Sequence, residues 1–280
     1  MDAIDYAESA GEIFVFSDSF VRIKELIDDE SSTIDDIADV ILLDPALAGT
    51  ILKLANSSFF NYPGKIDTIS KAVLVLGITE VYNLVIAYLA TQALNPVDAE
   101  DGFLTSFWES SVDCALNIKF LGHQLRVQNA ERLFILGLLH NLGELIVHQF
   151  SPDLVIQCQV NCEEQLPWQK QRAILGFTFA DCAGELLKLW QLPYSLIEPI
   201  REQDKDDFQH TTIETQLLFV SKRMMMINRH QFLITNTNLT EEKLSALHIR
   251  KELLNAASNF CDMERLNILA MLKPSAGMVF

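Results

Sequence analysis

Apolar residues recur at three- and four-residue intervals along almost the whole chain, while alternation with period two is scarce. Only helices bury side chains so spaced on one face, so the chain is predicted to be all-α. Local signals place the helix starts. Asp44-Pro45 offers a capping acceptor followed by proline at the first helical position, ahead of Ala-Leu-Ala-Gly-Thr-Ile-Leu-Lys-Leu-Ala. Thr68 caps a short helix that Gly77 ends, and Thr79 caps another running to about Leu94. Ser106 with Glu109 reads as a capping box that opens a helix to about Leu125. A long apolar helix is expected from Asn129 or Ala130 to His148. Further starts fall at Pro152, Pro167, Thr178, Tyr194, Thr211, Thr240 and Ile249.

Composition narrows the function classes. The 280 residues carry 21 Lys and Arg against 38 Asp and Glu, a formal charge of -17, which repels phosphate backbones and anionic lipid. Nucleic acid and membrane are therefore not expected partners. The longest apolar stretches, such as Val81 to Leu89, are interrupted and fall short of the ~20 residues of a spanning helix. The first residues, Met-Asp-Ala-Ile-Asp-Tyr, carry acid where a secretory signal carries Lys or Arg. Five cysteines, too few for a disulfide scaffold, fit reduced thiols and a cytoplasmic location. Cys158 and Cys162 are spaced to share a helix face, but no second Cys/His pair completes a zinc site.

The most informative segment is Gly137-Leu-Leu-His140-Asn141-Leu-Gly143-Glu144, a polar pair and two glycines in an apolar helix. Buried polar side chains need partners, and the glycines permit close helix approach. The other histidines, His123, His148, His210, His230 and His248, are scattered and read as surface or helix-end residues. No glycine-rich phosphate loop or Gly-x-Ser-x-Gly elbow is present. Phe59-Phe60 with Tyr62, and Met224-Met225-Met226, read as core residues with a docking surface as the sharper alternative. The acidic patches Asp28-Asp29-Glu30, Asp35-Asp36 and Glu163-Glu164 read as solvated faces, with steering of a basic partner as the alternative.

Leu-Leu-His-Asn-Leu-Gly resembles a degraded Leu-Leu-His-Asp-Ile-Gly, the motif of the HD metal phosphohydrolase superfamily. More specifically, the chain resembles the HDOD domain, an HD-related output domain of bacterial signalling proteins. The likeness is carried by Asp44 to Phe60, Ile69 to Gly77, Phe107-Trp108-Glu-Ser-Ser, Gly176-Phe-Thr-Phe179-Ala-Asp-Cys-Ala-Gly and Leu189-Trp190-Gln-Leu-Pro193, in the family's order. It covers about residues 15 to 205.

In the catalytic superfamily, His and Asp from several helices hold divalent cations that activate water and steady a phosphoryl group. Carried onto this chain, the histidine after Phe107-Trp108-Glu109 falls on Ser110, and the His-Asp doublet falls on His140 and Asn141. A third histidine position falls on Phe179, and a His-His pair falls on Glu202 and Gln203. Only His140 keeps its ligand type. Asn141 lacks the charge that orients a hard cation. The resemblance therefore implies a pseudoenzyme with no bound metal or other cofactor.

A remodelled site would need Asp113, Asp181, Glu185 or Glu202 beside His140. The expected remnant pocket comprises Ser110, His140, Asn141, Phe179, Asp181, Glu202 and Gln203, either structural or binding a small ligand without turnover.

The architecture expected is an HDOD-like helical bundle. Residues 1–14 form an N-terminal segment and 15–205 the domain, with a front half at about 44–94 and an HD-type bundle at about 103–203. Residues 206–280 form a C-terminal helical extension docked back on it. The resemblance implies a regulatory module acting through contacts with signalling proteins. The alternative is a divergent metal-dependent phosphohydrolase acting on a nucleotide or phosphodiester, and a structural subunit is the third option.

Overall fold

The structure, a computed structural model, describes residues 1–14, 18–29, 32–57, 60, 62–93, 101–128, 130–159, 165–230 and 237–272. Among these, every regular element is helical. The order begins α1 (Ala3–Ile13), α2 (Asp18–Asp28), α3 (Ile34–Leu42), α4 (Pro45–Ala55), α5 (Ile69–Leu76) and α6 (Ile78–Ala93). It continues with α7 (Asp101–Gln124), α8 (Leu133–Leu139), α9 (Leu142–Phe150), α10 (Pro152–Gln159) and α11 (Pro167–Leu175). The last are α12 (Phe179–Leu189), α13 (Tyr194–Glu202), α14 (Ile213–His230), α15 (Glu241–Ala246) and α16 (Lys251–Leu272).

The chain divides into two units, one drawn from Met1–Ile13 and Val97–Arg265, the other from Phe14–Pro96 and Leu266–Phe280. In the second unit, α3 opens with a capping box between Thr33 and Asp36, and α4 with Asp44 and Pro45 as the sequence indicates. The Thr33 hydrogen bonds hold the Asp36 carboxyl below its usual range. The Asn56 side chain then closes the turn toward α5: its amide donates to Leu52 O (2.7 Å) and Ile66 O (2.6 Å), and its Oδ1 accepts from Ile66 N (2.8 Å). Gly77, at φ 90°, lets α5 and α6 meet at 119°, a backbone region that side chains disfavour.

In the first unit, α7 is flanked by α8 and α14, while α12 packs on α9, α13 and α1. Residues 1–14, set apart by the sequence, supply α1 to this unit. Ala7 and Ala10 are fully buried, and Tyr6 donates to Ser151 Oγ (2.7 Å) with its ring tilted against Phe150 and Phe177. Leu133–Phe150 has the length and hydropathy of a membrane crossing, yet 72% of it is buried, which identifies it as core.

Three helix boundaries differ from the sequence reading. Thr79, expected as a cap, lies inside α6, which already begins at Ile78. The expected capping box at Ser106 does not form, because α7 already begins at Asp101 and Ser106 lies inside it. The Phe103 ring stacks on His148 at 3.8 Å, so tertiary packing carries the helix past the local signal. The long apolar helix is interrupted, with α8 ending at Leu139 and α9 starting at Leu142. The expected ends at Asn129 and Leu94 lie outside the described residues, as do Cys162, Glu163, Glu164 and Phe59.

The glycines of this segment are where backbones touch. A Cβ on Gly137 would lie 2.4 Å from Ala115 Cα, and one on Gly143 would lie 1.8 Å from Phe179 O. Gly143→Ala is expected to cost about 2–4 kcal/mol in urea unfolding, because a backbone carbonyl cannot move aside. Gly49→Ala, inside α4 with nothing within 4 Å, should instead add about 0.5–1 kcal/mol.

Candidate functional site

The break between α8 and α9 creates the site. A helix end leaves backbone groups that need other partners, and the side chains around His140 supply them. Gln203 Nε2 donates to the freed His140 carbonyl at 2.8 Å and to Ile200 O at 2.8 Å. Asn141 Oδ1 accepts from Ser111 Oγ at 2.8 Å, which ties the break to α7. The His140 ring turns back on α8, with Nδ1 2.7 Å from Gly137 O. A carbonyl can only accept, so Nδ1 carries the proton. Burial pushes the ring's pKa down to about 3, so the imidazole is neutral and Nε2 is a bare acceptor. Among the described residues, Nε2 is buried with no partner.

Beside this ring lies a cavity of about 480 Å³, within the first unit. Ser110, His140, Asn141 and Phe179 all line it. The remaining positions of the expected pocket are engaged elsewhere. Asp181 caps its own helix, accepting from Thr178 N (2.9 Å) and Thr178 Oγ1 (2.8 Å). Glu202 pairs with Lys205, and Gln203 is the buried clamp on His140.

The candidates for a remodelled centre are similarly occupied. Asp113 faces α14 and α16, where it meets Arg229, Arg265 and Cys261 Sγ (3.1 Å). Glu185 pairs with Lys188 at 3.0 Å and Arg201 at 3.5 Å. Among the described residues, no three His, Cys, Asp or Glu side chains converge as a metal site.

Several lining residues escaped the sequence reading. Glu144, one turn past His140, presents its carboxyl to the cavity, where burial pushes its pKa up while an accepted hydrogen bond from Gln159 opposes the shift. Its place in the Gly143-Glu144 step was the available signal. Met225 and Met226 form part of the wall and pack with Trp168, which separates them from any exposed docking surface. Lys222 also lines the cavity, but both oxygens of Asp204 hold its ammonium, at 2.8 and 2.7 Å.

Next to it, Arg223 is fully buried and bonded to Thr237 O (2.9 Å), Phe219 O (3.2 Å) and Gln203 O (3.3 Å). Its guanidinium lies over the Phe219 and Trp168 rings. Burial lowers its pKa to about 9.

Residues 13–205 match the HDOD domain family. An uncharacterised protein of Treponema pallidum (strain Nichols) is 28% identical over 202 residues, a match spanning 71% of this chain and 39% of that protein. The chain thus spans about two fifths of that relative's length. Among solved structures, a protein from Shewanella amazonensis SB2B bearing a phosphohydrolase name has a TM-score of 0.71 at 21% identity, covering 96% of this chain and 97% of that one. An HDOD domain protein of unknown function from Geobacter sulfurreducens has a TM-score of 0.69 at 16% identity, covering 99% and 98%. A protein from Marinobacter aquaeolei VT8 with a signal-transduction name has a TM-score of 0.69 at 21% identity, covering 96% and 65%. At these identities the structural likeness establishes the fold.

The buried His140 makes stability depend on pH. The unfolded chain takes up the imidazole proton below the ordinary value of 6.5, while the folded ring stays neutral down to about 3. The unfolded state therefore binds more protons across that window, and stability falls as pH drops, by up to about 1.4 kcal/mol per unit. His140→Gln removes this titration. In urea unfolding at several pH values, the wild-type free energy minus that of the variant should decrease from pH 7 toward pH 4.

Proposed function

The chain belongs to the HDOD domain family, and we propose that within it this chain is a non-catalytic regulatory module, acting in the cytoplasm through contacts with other signalling proteins. One observation carries the reading. Where the superfamily's metal ligands would converge, this chain presents one imidazole beside Ser110, Asn141 and Phe179. A hydrolytic divalent centre needs several convergent imidazole or carboxylate donors to hold the ion and its activated water. Asp113, Asp181, Glu185 and Glu202 make ion pairs or caps of their own, and Glu144 accepts from Gln159.

The retained fold around a ligand-poor site favours a role in recognition. Regulation through protein contacts follows from the family's association with signalling. Cys114, Cys182 and Cys261, free and buried, accord with a reducing compartment.

The test is metal analysis of chain purified without chelator, followed by phosphodiesterase and phosphatase assays with Mn²⁺ and Mg²⁺. The expected result is no stoichiometric metal and no turnover above background, unchanged in His140→Ala. Stoichiometric metal that His140→Ala removes, together with turnover, would establish a divergent phosphohydrolase instead.

A further inference from the structure

We propose that the cavity beside His140 is a receptor site for an uncharged heteroaromatic molecule of nucleobase or nucleoside size, which donates an N–H to His140 Nε2 and lays its ring between apolar walls. This deepens the non-catalytic reading and rests on it, since the occupant is bound and released unchanged.

The first argument is the unsatisfied acceptor. His140 is 2% exposed, lines the cavity, and has Nδ1 committed to Gly137 O. Its Nε2 lone pair lacks a partner among the described residues, and a buried acceptor left unmade is costly unless something fills it. A neutral imidazole in this tautomer asks for a donor. The Glu144 carboxyl adds acceptor capacity on the same wall, so a ligand edge carrying N–H groups matches the cavity better than one carrying carbonyls alone.

Charge sets the second constraint. Among the described lining residues Lys222 is the cation, and Asp204 holds it from both oxygens. A phosphate or carboxylate entering here would meet the Glu144 carboxyl without a free cation to compensate. Burying an ion under those conditions is unfavourable. The site therefore selects against the charged forms of such molecules.

Shape is the third. Phe107, Phe179, Pro167, Met225 and Met226 contribute apolar surface. Flat rings and adaptable thioethers suit a planar guest. The volume of about 480 Å³ falls within the range of small-molecule pockets, roughly 300–1,000 Å³. Ser110, Asn141, Gln159 and Gln171 add polar groups between these apolar faces, a mixture that fixes a guest's orientation by hydrogen bonds.

The experiment uses the full chain labelled with ¹⁵N. His140 Nε2 is followed by long-range proton–nitrogen correlation while adenine, adenosine, guanosine, cytidine or uridine is added to millimolar concentration, with thermal unfolding in parallel. At least one of these is expected to move the Nε2 resonance in the direction of an accepted hydrogen bond and to raise Tm. The matching nucleoside monophosphate should bind about tenfold or more weakly, because it brings charge without a partner. His140→Phe, which removes the acceptor and keeps an aromatic ring, should weaken binding by about tenfold or more.

An Nε2 resonance unmoved by all five compounds, or a monophosphate that binds as tightly as its nucleoside, overturns the proposal. The wild-type titration stands even where the variant fails to fold. The outcomes also separate from those of the metal assay: a non-catalytic chain whose cavity holds only water passes that assay and fails this one.

Discussion

Two points of backbone contact organise the first unit: Gly137 against Ala115, and Gly143 against Phe179 O. At each, the absence of a side chain lets helices approach closer than side chains allow. The first fixes α8 on α7 and the second fixes α9 on α12. The segment between them cannot remain one straight helix while meeting both neighbours. It breaks at His140 and Asn141, and the freed polar groups are taken by Gln203 from beyond α13 and Ser111 from α7. The tautomer of His140 follows from its bond to Gly137 O, and its neutral state from burial.

Around the break the chain spends buried polar groups on structure. Gln203 joins the His140 carbonyl on one side, and its own carbonyl accepts from Arg223 on the other. Arg223 is one of the largest fully buried side chains. Its charge is compensated by Asp204 at 3.8 Å, by backbone carbonyls and by two aromatic faces. Removing one partner of such a buried set costs more than a surface ion pair gains, because the remaining charge has no water to turn to. Asn141 and Gln203 here make hydrogen bonds that tie the break to its neighbours.

Much of the fold was legible because its signals are local. The caps Asp44, Thr68, Thr178 and Thr240 each accept from the backbone of the first turn, as their positions indicate. A side chain that bonds within its own turn depends little on the rest of the molecule. Ser106 failed for the converse reason, since Phe103 on His148 extends α7 through a contact between distant segments. The fate of Asp113 was illegible in the same way. Periodicity tells that it is inside, and only packing decides that it turns toward Arg229 and Arg265.

The sequence by itself determined the all-α class, most helix starts and the family, since these rest on spacing and on contacts a few residues long. It also put Ser110, Asn141 and Phe179, rather than His and Asp, at the positions to which the family resemblance points. Tertiary structure alone decided where the apolar helix breaks and that Glu144 and Lys222 line the cavity. It also decided that Gln203 is spent on the His140 carbonyl. The reason is that a helix face records which residues are buried, whereas the identity of the buried neighbour depends on how close two backbones come, and here glycines set that distance.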